Sequence, residues 1–151
     1  MPTLTVSGFF ILCAFAIKVP MWPAFSWLVR AHVEASVEFS ILLSGFIIKV
    51  GAWGIYQVLF WASSGFFVVF VGALSVISVG VATVRLLAQR DLKRMVAYMT
   101  VIETNWLVFC LACGSVSFVQ LGLYLTAVHG FTTALGFLFV EVVGRRFQTR
   151  D

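Results

Sequence analysis

The chain has 151 residues, 62% of them hydrophobic and 11% charged. A soluble domain carries about a quarter charged residues, so this composition excludes a water-soluble globular fold and predicts an integral membrane protein. The formal net charge of +4 sits in short clusters between apolar runs, where topology signals belong, so no nucleic-acid partner is expected.

A spanning helix needs about 20 apolar residues. Five such segments follow one another, at about 4–29, 39–61, 65–88, 95–116 and 118–144. The fold class predicted is therefore all-α: one polytopic membrane domain over residues 1–151, with the lipid bilayer as its surroundings. The first span is interrupted in FAIKVPMWPAFSWLV by Lys18, Pro20 and Pro23. Proline removes a backbone donor and disturbs a helix, and unwound backbone is tolerated in a membrane where protein or a cavity surrounds it. The spacing predicts a helix broken at Lys18–Pro23, with the lysine at the break. Discontinuous helices with charges at the break mark ion sites in transporters; a plain proline kink with a snorkelling lysine is the alternative.

Lys49 lies near the middle of the second span, ten residues after Phe39 and twelve before Trp61. A lysine at the bilayer centre costs roughly 3 kcal/mol on insertion scales. It is expected to point into a bundle, and Gly45, Ala52 and Tyr56 share its face at helical spacing. The third span holds no charge before Arg85, and its small residues Gly65, Gly72, Ser75, Ser78 and Gly80 predict close helix contacts. In the fourth span Glu103 sits about 12 Å along the helix from Met95. The fifth holds His129 near its middle, and Glu141 within reach of Arg145 as an interfacial ion pair. Four ionisable residues on four spans (Lys18, Lys49, Glu103 and His129) suit a hydrated proton relay. Each alone suits a satisfied core residue.

Cys110 and Cys113 form CLAC inside an apolar run. With no second pair to complete a metal site, they read as packing, and no metal or cofactor is expected on this chain. The basic segments 85–94 and 144–151 and the polar segment 30–38 all fall on one side if there are five spans. The positive-inside rule places that side in the cytoplasm or matrix.

Four runs together resemble the antiporter-like membrane subunits of respiratory complex I, the NADH:ubiquinone oxidoreductase. They are KVPMWPAFSWLVRAHVEAS (18–36), ILLSGFIIKVGAWGI (41–55), RDLKRMVAYMTV (90–101) and AVHGFTTALGFLFV (127–140). The resemblance covers nearly the whole chain in order. It implies a subunit without redox centres that moves protons along a central polar axis, driven by quinone reduction elsewhere. Lys18 takes the place of the broken-helix lysine, Lys49 of the bridging lysine and His129 of the axis histidine. His32 and Glu34 fall in the loop motif, where a structural and a proton-path role are both open. The family has histidine where Phe25 and Glu103 stand here, and proline at Val29 and Ser36, which implies a relay that is locally tuned differently or lost.

Members of this family are longer than 151 residues, and the glutamates that face the first lysine and end the relay lie outside these five spans. The resemblance therefore implies one piece of a split subunit, completed by other membrane-arm chains that supply the missing helices and glutamates. It also implies a mitochondrial inner membrane, with the N-terminus on the intermembrane-space side and the C-terminus in the matrix. A subunit of a multisubunit sodium/proton antiporter and a purely structural scaffold are the two alternatives.

Overall fold

The computed structural model describes residues 2–62 and 65–147, and the side chains of 6–61 and 65–146. Every regular element among them is helical: α1 (Pro2–Lys18), α2 (Ser26–Glu34), α3 (Val37–Leu42), a π-helical turn (Leu43–Ile47), α4 (Ile48–Ala62), α5 (Gly65–Leu87), α6 (Leu92–Cys113) and α7 (Val116–Phe147). Four helical stretches are long and apolar enough to cross a membrane: Val37–Trp61, Gly65–Leu87, Leu92–Cys113 and Val116–Arg146. A shorter apolar helix, Val6–Lys18, precedes the break. The chain is an all-α polytopic membrane protein.

The helix ends follow local chemistry. Asp91 caps α6 by accepting from Lys93 N at 2.9 Å. Gly114 closes the same helix at φ 68°, a left-handed position that suits glycine. Ser36 caps α3 through Phe39 N. Lys93 Nζ donates to the carbonyls of Val33 (3.0 Å) and Ala35 (2.6 Å). A cation there complements the negative end of α2. It also ties segment 30–38 to segment 85–94, so these two polar segments share one end of the bundle.

The first helix stops at Lys18 and resumes at Ser26, and Pro20 and Pro23 lie in the break. The freed backbone groups find partners inside the protein. Trp22 N donates to Ser78 Oγ at 2.7 Å, Asn105 Nδ2 to Pro20 O at 3.3 Å, and Trp27 Nε1 to Ile17 O at 2.8 Å. Unsatisfied backbone in an apolar medium is costly, so these side chains hold the break open. Asn105→Leu leaves the Pro20 carbonyl without its donor. The expected loss of about 1–3 kcal/mol is to be read as a lower midpoint for thermal loss of the folded bundle.

Helix α6 is the central element. It packs on α5, α7, α2 and α4, and it is the most buried of the four spanning stretches, as α7 is the least. Two apolar clusters flank a polar layer. One gathers Leu12, Val19, Ile55, Val71, Leu107 and Leu111; the other gathers Phe25, Leu28, Ile48, Ala82, Tyr98 and Val101. Buried Ser75, Ser78, Thr104 and Asn105 lie along α5 and α6 in the stretches between. Large apolar side chains such as Phe10, Phe46, Phe66 and Leu123 face outward, as a lipid-facing surface requires.

The close packing expected of α5 is found, chiefly on α6, with Ser75 and Ser78 fully buried and Gly72 in ordinary contact with Phe109, whereas Gly65 and Gly80 meet nothing within 4 Å. The tightest approaches at glycine are on α4, where Gly54 seats Phe15 of α1 and Gly51 seats Val19, the first residue past α1. Gly45 also faces open space. It lies inside the π turn, and that wider turn disturbs the register that would align Gly45 with Lys49 on a regular helix.

Candidate functional site: a buried acid–imidazole pair beside a lysine

Glu103 on α6 and His129 on α7 meet at 2.8 Å between Oε2 and Nδ1. The imidazole is almost fully buried, while the carboxylate is about one-third exposed. Thr132 Oγ1, on the next turn of α7, donates to the same carboxylate oxygen at 3.2 Å. The other imidazole nitrogen, Nε2, lies 3.5 Å from Thr104 Oγ1. That hydroxyl donates to Thr100 O at 2.7 Å, which leaves its oxygen lone pairs turned to the ring. A proton can reside on the imidazole, with the carboxylate as acceptor, or pass to the carboxylate. The pair borders a largely apolar cavity of about 380 Å³ between α6 and α7, lined also by Trp106, Cys110, Leu121 and Leu125.

Lys49 leads into this place from a third helix. It lies two residues past the last residue of the π turn, and such turns recur at functional sites. Its half-buried side chain lays the ammonium against Gly130, the residue after His129. A β-carbon at position 130 would overlap Nζ, so any other residue there would make the ammonium shift. Three of the four relay candidates of the sequence thus sit on neighbouring positions of three packed helices.

Lys18 is placed differently. It ends α1 and its side chain is exposed. Its Cβ lies 3.4 Å from where Gly51 would carry one, two residues beyond Lys49 on α4. None of the ion pairs found among the described residues involves it. Glu34 is exposed, whereas His32 is fully buried and stacks on Phe137 with ring centroids 4.8 Å apart. Glu141 and Arg145 form the expected pair, Nη2 to Oε1 at 2.6 Å.

At Phe25, Arg85 places its guanidinium carbon 5.3 Å from the ring centroid, and Tyr98 meets the ring edge-on. The position is an aromatic seat for a cation. Gly130, Thr132 and Asn105 were not singled out by sequence reasoning. Polar residues inside apolar spans, and a glycine beside a histidine, are the signals that mark them.

A family model described as "NADH:quinone oxidoreductase/Mrp antiporter, TM" matches residues 1–151. The chain is 35% identical over 137 residues to NADH-ubiquinone oxidoreductase chain 4 of Paramecium tetraurelia, covering 91% of this chain and 29% of that one. It is 36% identical over 146 residues to the chain 4 of Dictyostelium discoideum, covering 95% and 27%. To NADH-quinone oxidoreductase subunit M of Rickettsia prowazekii (strain Madrid E) it is 34% identical over 148 residues, covering 93% and 29%. The AHVEA form of residues 31–35 points to the same branch. The chain spans less than a third of the length of these relatives.

Proposed function

We infer the function of this chain from its family, for the chain belongs to the NADH:quinone oxidoreductase/Mrp antiporter transmembrane family. It serves as a non-redox, proton-translocating part of the membrane arm of an NADH:quinone oxidoreductase. The proton path runs through Lys49, Glu103 and His129, with Lys18 at its edge. Quinone reduction elsewhere in the complex drives the changes of charge along it.

One observation carries the reading. A carboxylate, an imidazole and an ammonium from three helices converge at Glu103, His129 and Gly130, in the depth of the spans. Ionisable groups there are costly and mark ion and proton paths. The carboxylate that would face Lys18 lies on a polypeptide segment outside these 151 residues, and the other membrane-arm subunits are the partners. The membrane is the mitochondrial inner membrane. The basic segments and the C-terminus face the matrix and the N-terminus the intermembrane space, in line with the positive-inside rule.

The test is made on the assembled complex in sealed vesicles. Glu103→Gln keeps the shape and a hydrogen bond to His129 but cannot accept a proton. Proton transfer through this chain is expected to fall by about tenfold or more, the usual range for a lost acid–base group. The measurement is protons moved per NADH oxidised. An unchanged ratio would refute the reading. If the chain co-purifies with cation–proton exchange and no NADH oxidation, it belongs instead to the antiporter branch that the family also covers.

A further inference from the structure

One oxygen of the Glu103 carboxylate is left over. Both of its partners among the described residues, His129 Nδ1 at 2.8 Å and Thr132 Oγ1 at 3.2 Å, hold Oε2. Oε1 takes part in no hydrogen bond or ion pair among the described residues. The side chain is about one-third exposed, and it opens onto the cavity of about 380 Å³ between α6 and α7. Apart from Glu103 and His129 the walls of that cavity are largely apolar, and Trp106, Phe118 and Leu121 on them are themselves exposed.

The depth of Glu103 narrows what can fill this groove. It stands eleven residues from Leu92 and ten from Cys113, the two ends of α6, so either end is about 15 Å away along the helix. A carboxylate oxygen turned to hydrocarbon at that depth is costly. An acyl chain reaches this level but brings no donor, and a phospholipid's charged head stays at the surface. Water is a poor filling for walls so apolar. On this chain no permanent cation answers the carboxylate: Lys49 leans on Gly130 and is in none of the ion pairs, and His129 is charged only when protonated. What suits the groove is a cation on an apolar carrier. The Trp106 indole on its wall offers an aromatic face to the same cation. Among the four spanning stretches α7 is the least buried, so its flank is open to a neighbour. Such a neighbour is at hand if the subunit has the length of its relatives, of which this chain spans less than a third.

We propose that the groove between α6 and α7 receives a transmembrane helix of a partner polypeptide, and that a lysine or arginine at mid-depth on that helix closes on Glu103 Oε1. The family resemblance implies a further glutamate beyond these spans. Opposite Glu103 a second carboxylate would force one of the two to hold a proton, so at this contact the charge is the reverse of that expectation. The inference rests on the membrane fold and the place of Glu103, and it needs no proton movement.

The test is made on the assembled complex, with Trp106, one helical turn from Glu103, replaced by the photoreactive benzoylphenylalanine. Leu125, on the facing wall, is the second position should the first prevent assembly. Illumination is expected to join this chain to an apolar span of another polypeptide. Mass spectrometry of the joined peptides is expected to place the link within one helical turn of a lysine or arginine. Glu103→Lys is expected to lower the cross-linked yield by about tenfold or more, since a broken buried pair leaves a charge uncompensated. Exchanging the partner's base for glutamate in the same complex is expected to restore it. Should Glu103→Lys alone fail to accumulate, the double exchange decides.

A link to a span without a base in that turn, to lipid alone or to a second copy of this chain overturns the inference. So do the absence of any link from both positions, an undiminished yield in Glu103→Lys, and an exchange that restores nothing. A lowered proton ratio in Glu103→Gln without the expected link leaves the relay standing and this inference overturned. The expected link with a normal proton ratio does the opposite.

Discussion

Lys49→Met is expected to lower proton transfer through this chain by at least about tenfold while the complex still assembles. Methionine has nearly the length and flexibility of the lysine stem, so the space against Gly130 stays filled. The change removes a charge whose insertion costs roughly 3 kcal/mol at a bilayer centre, so the variant bundle is not weakened by loss of the cation. What it loses is a group able to take and give a proton beside the Glu103–His129 pair. The measurement is the rate of vesicle acidification at matched NADH oxidation. Gly130→Ala provides the internal control. A β-carbon there displaces the ammonium without removing it, so its ratio should fall between those of the unaltered chain and Lys49→Met. A scaffold role predicts no change in acidification for Lys49→Met.

Gly54→Val is expected to act on assembly. A β-carbon at Gly54 would run into the ring of Phe15, and one at Gly51 into Val19 Cγ2 at 2.7 Å. These two glycines are where α4 receives α1, next to the break. Phe15 packs against a cluster of buried residues, so its ring has little room to withdraw. Overpacking a core typically costs 1–3 kcal/mol, and a branched residue facing an aromatic ring belongs at about the upper end of that range. The expected result is a several-fold lower yield of assembled complex, seen on a native gel, with Gly54→Ala intermediate. Normal yield for Gly54→Val would mean that α1 and α4 do not meet as described.

Much of the architecture was legible because each feature has a local cause. The apolar runs mark the helices, and Pro20 and Pro23 mark the break. The Glu103–His129 contact was legible only as two costly residues that needed company. That they satisfy each other depends on how α6 and α7 pack, which periodicity does not specify. Gly45 was misread for a related reason. A π turn is one extra residue in a helical period, and LSGFI carries no proline or glycine pair that announces it. The opposite postures of His32 and Glu34 could not be read from a motif that places them two residues apart. On a helix that separation turns them to different faces, and only the neighbours decide which face is inside.

The uneven burial of α7 bears on how this chain can drift over generations. Most of that helix looks away from the rest of this chain, and within the chain positions such as Leu123, Phe131, Leu135 and Val142 answer only to apolarity. Leucine, phenylalanine, valine and isoleucine can replace one another there at little cost. The inward stripe has no such freedom, since His129 meets Glu103, Gly130 meets Lys49 and Phe137 stacks on His32. One helix is therefore expected to change at two speeds, and its overall sequence identity to a relative says little about whether its working face has been kept.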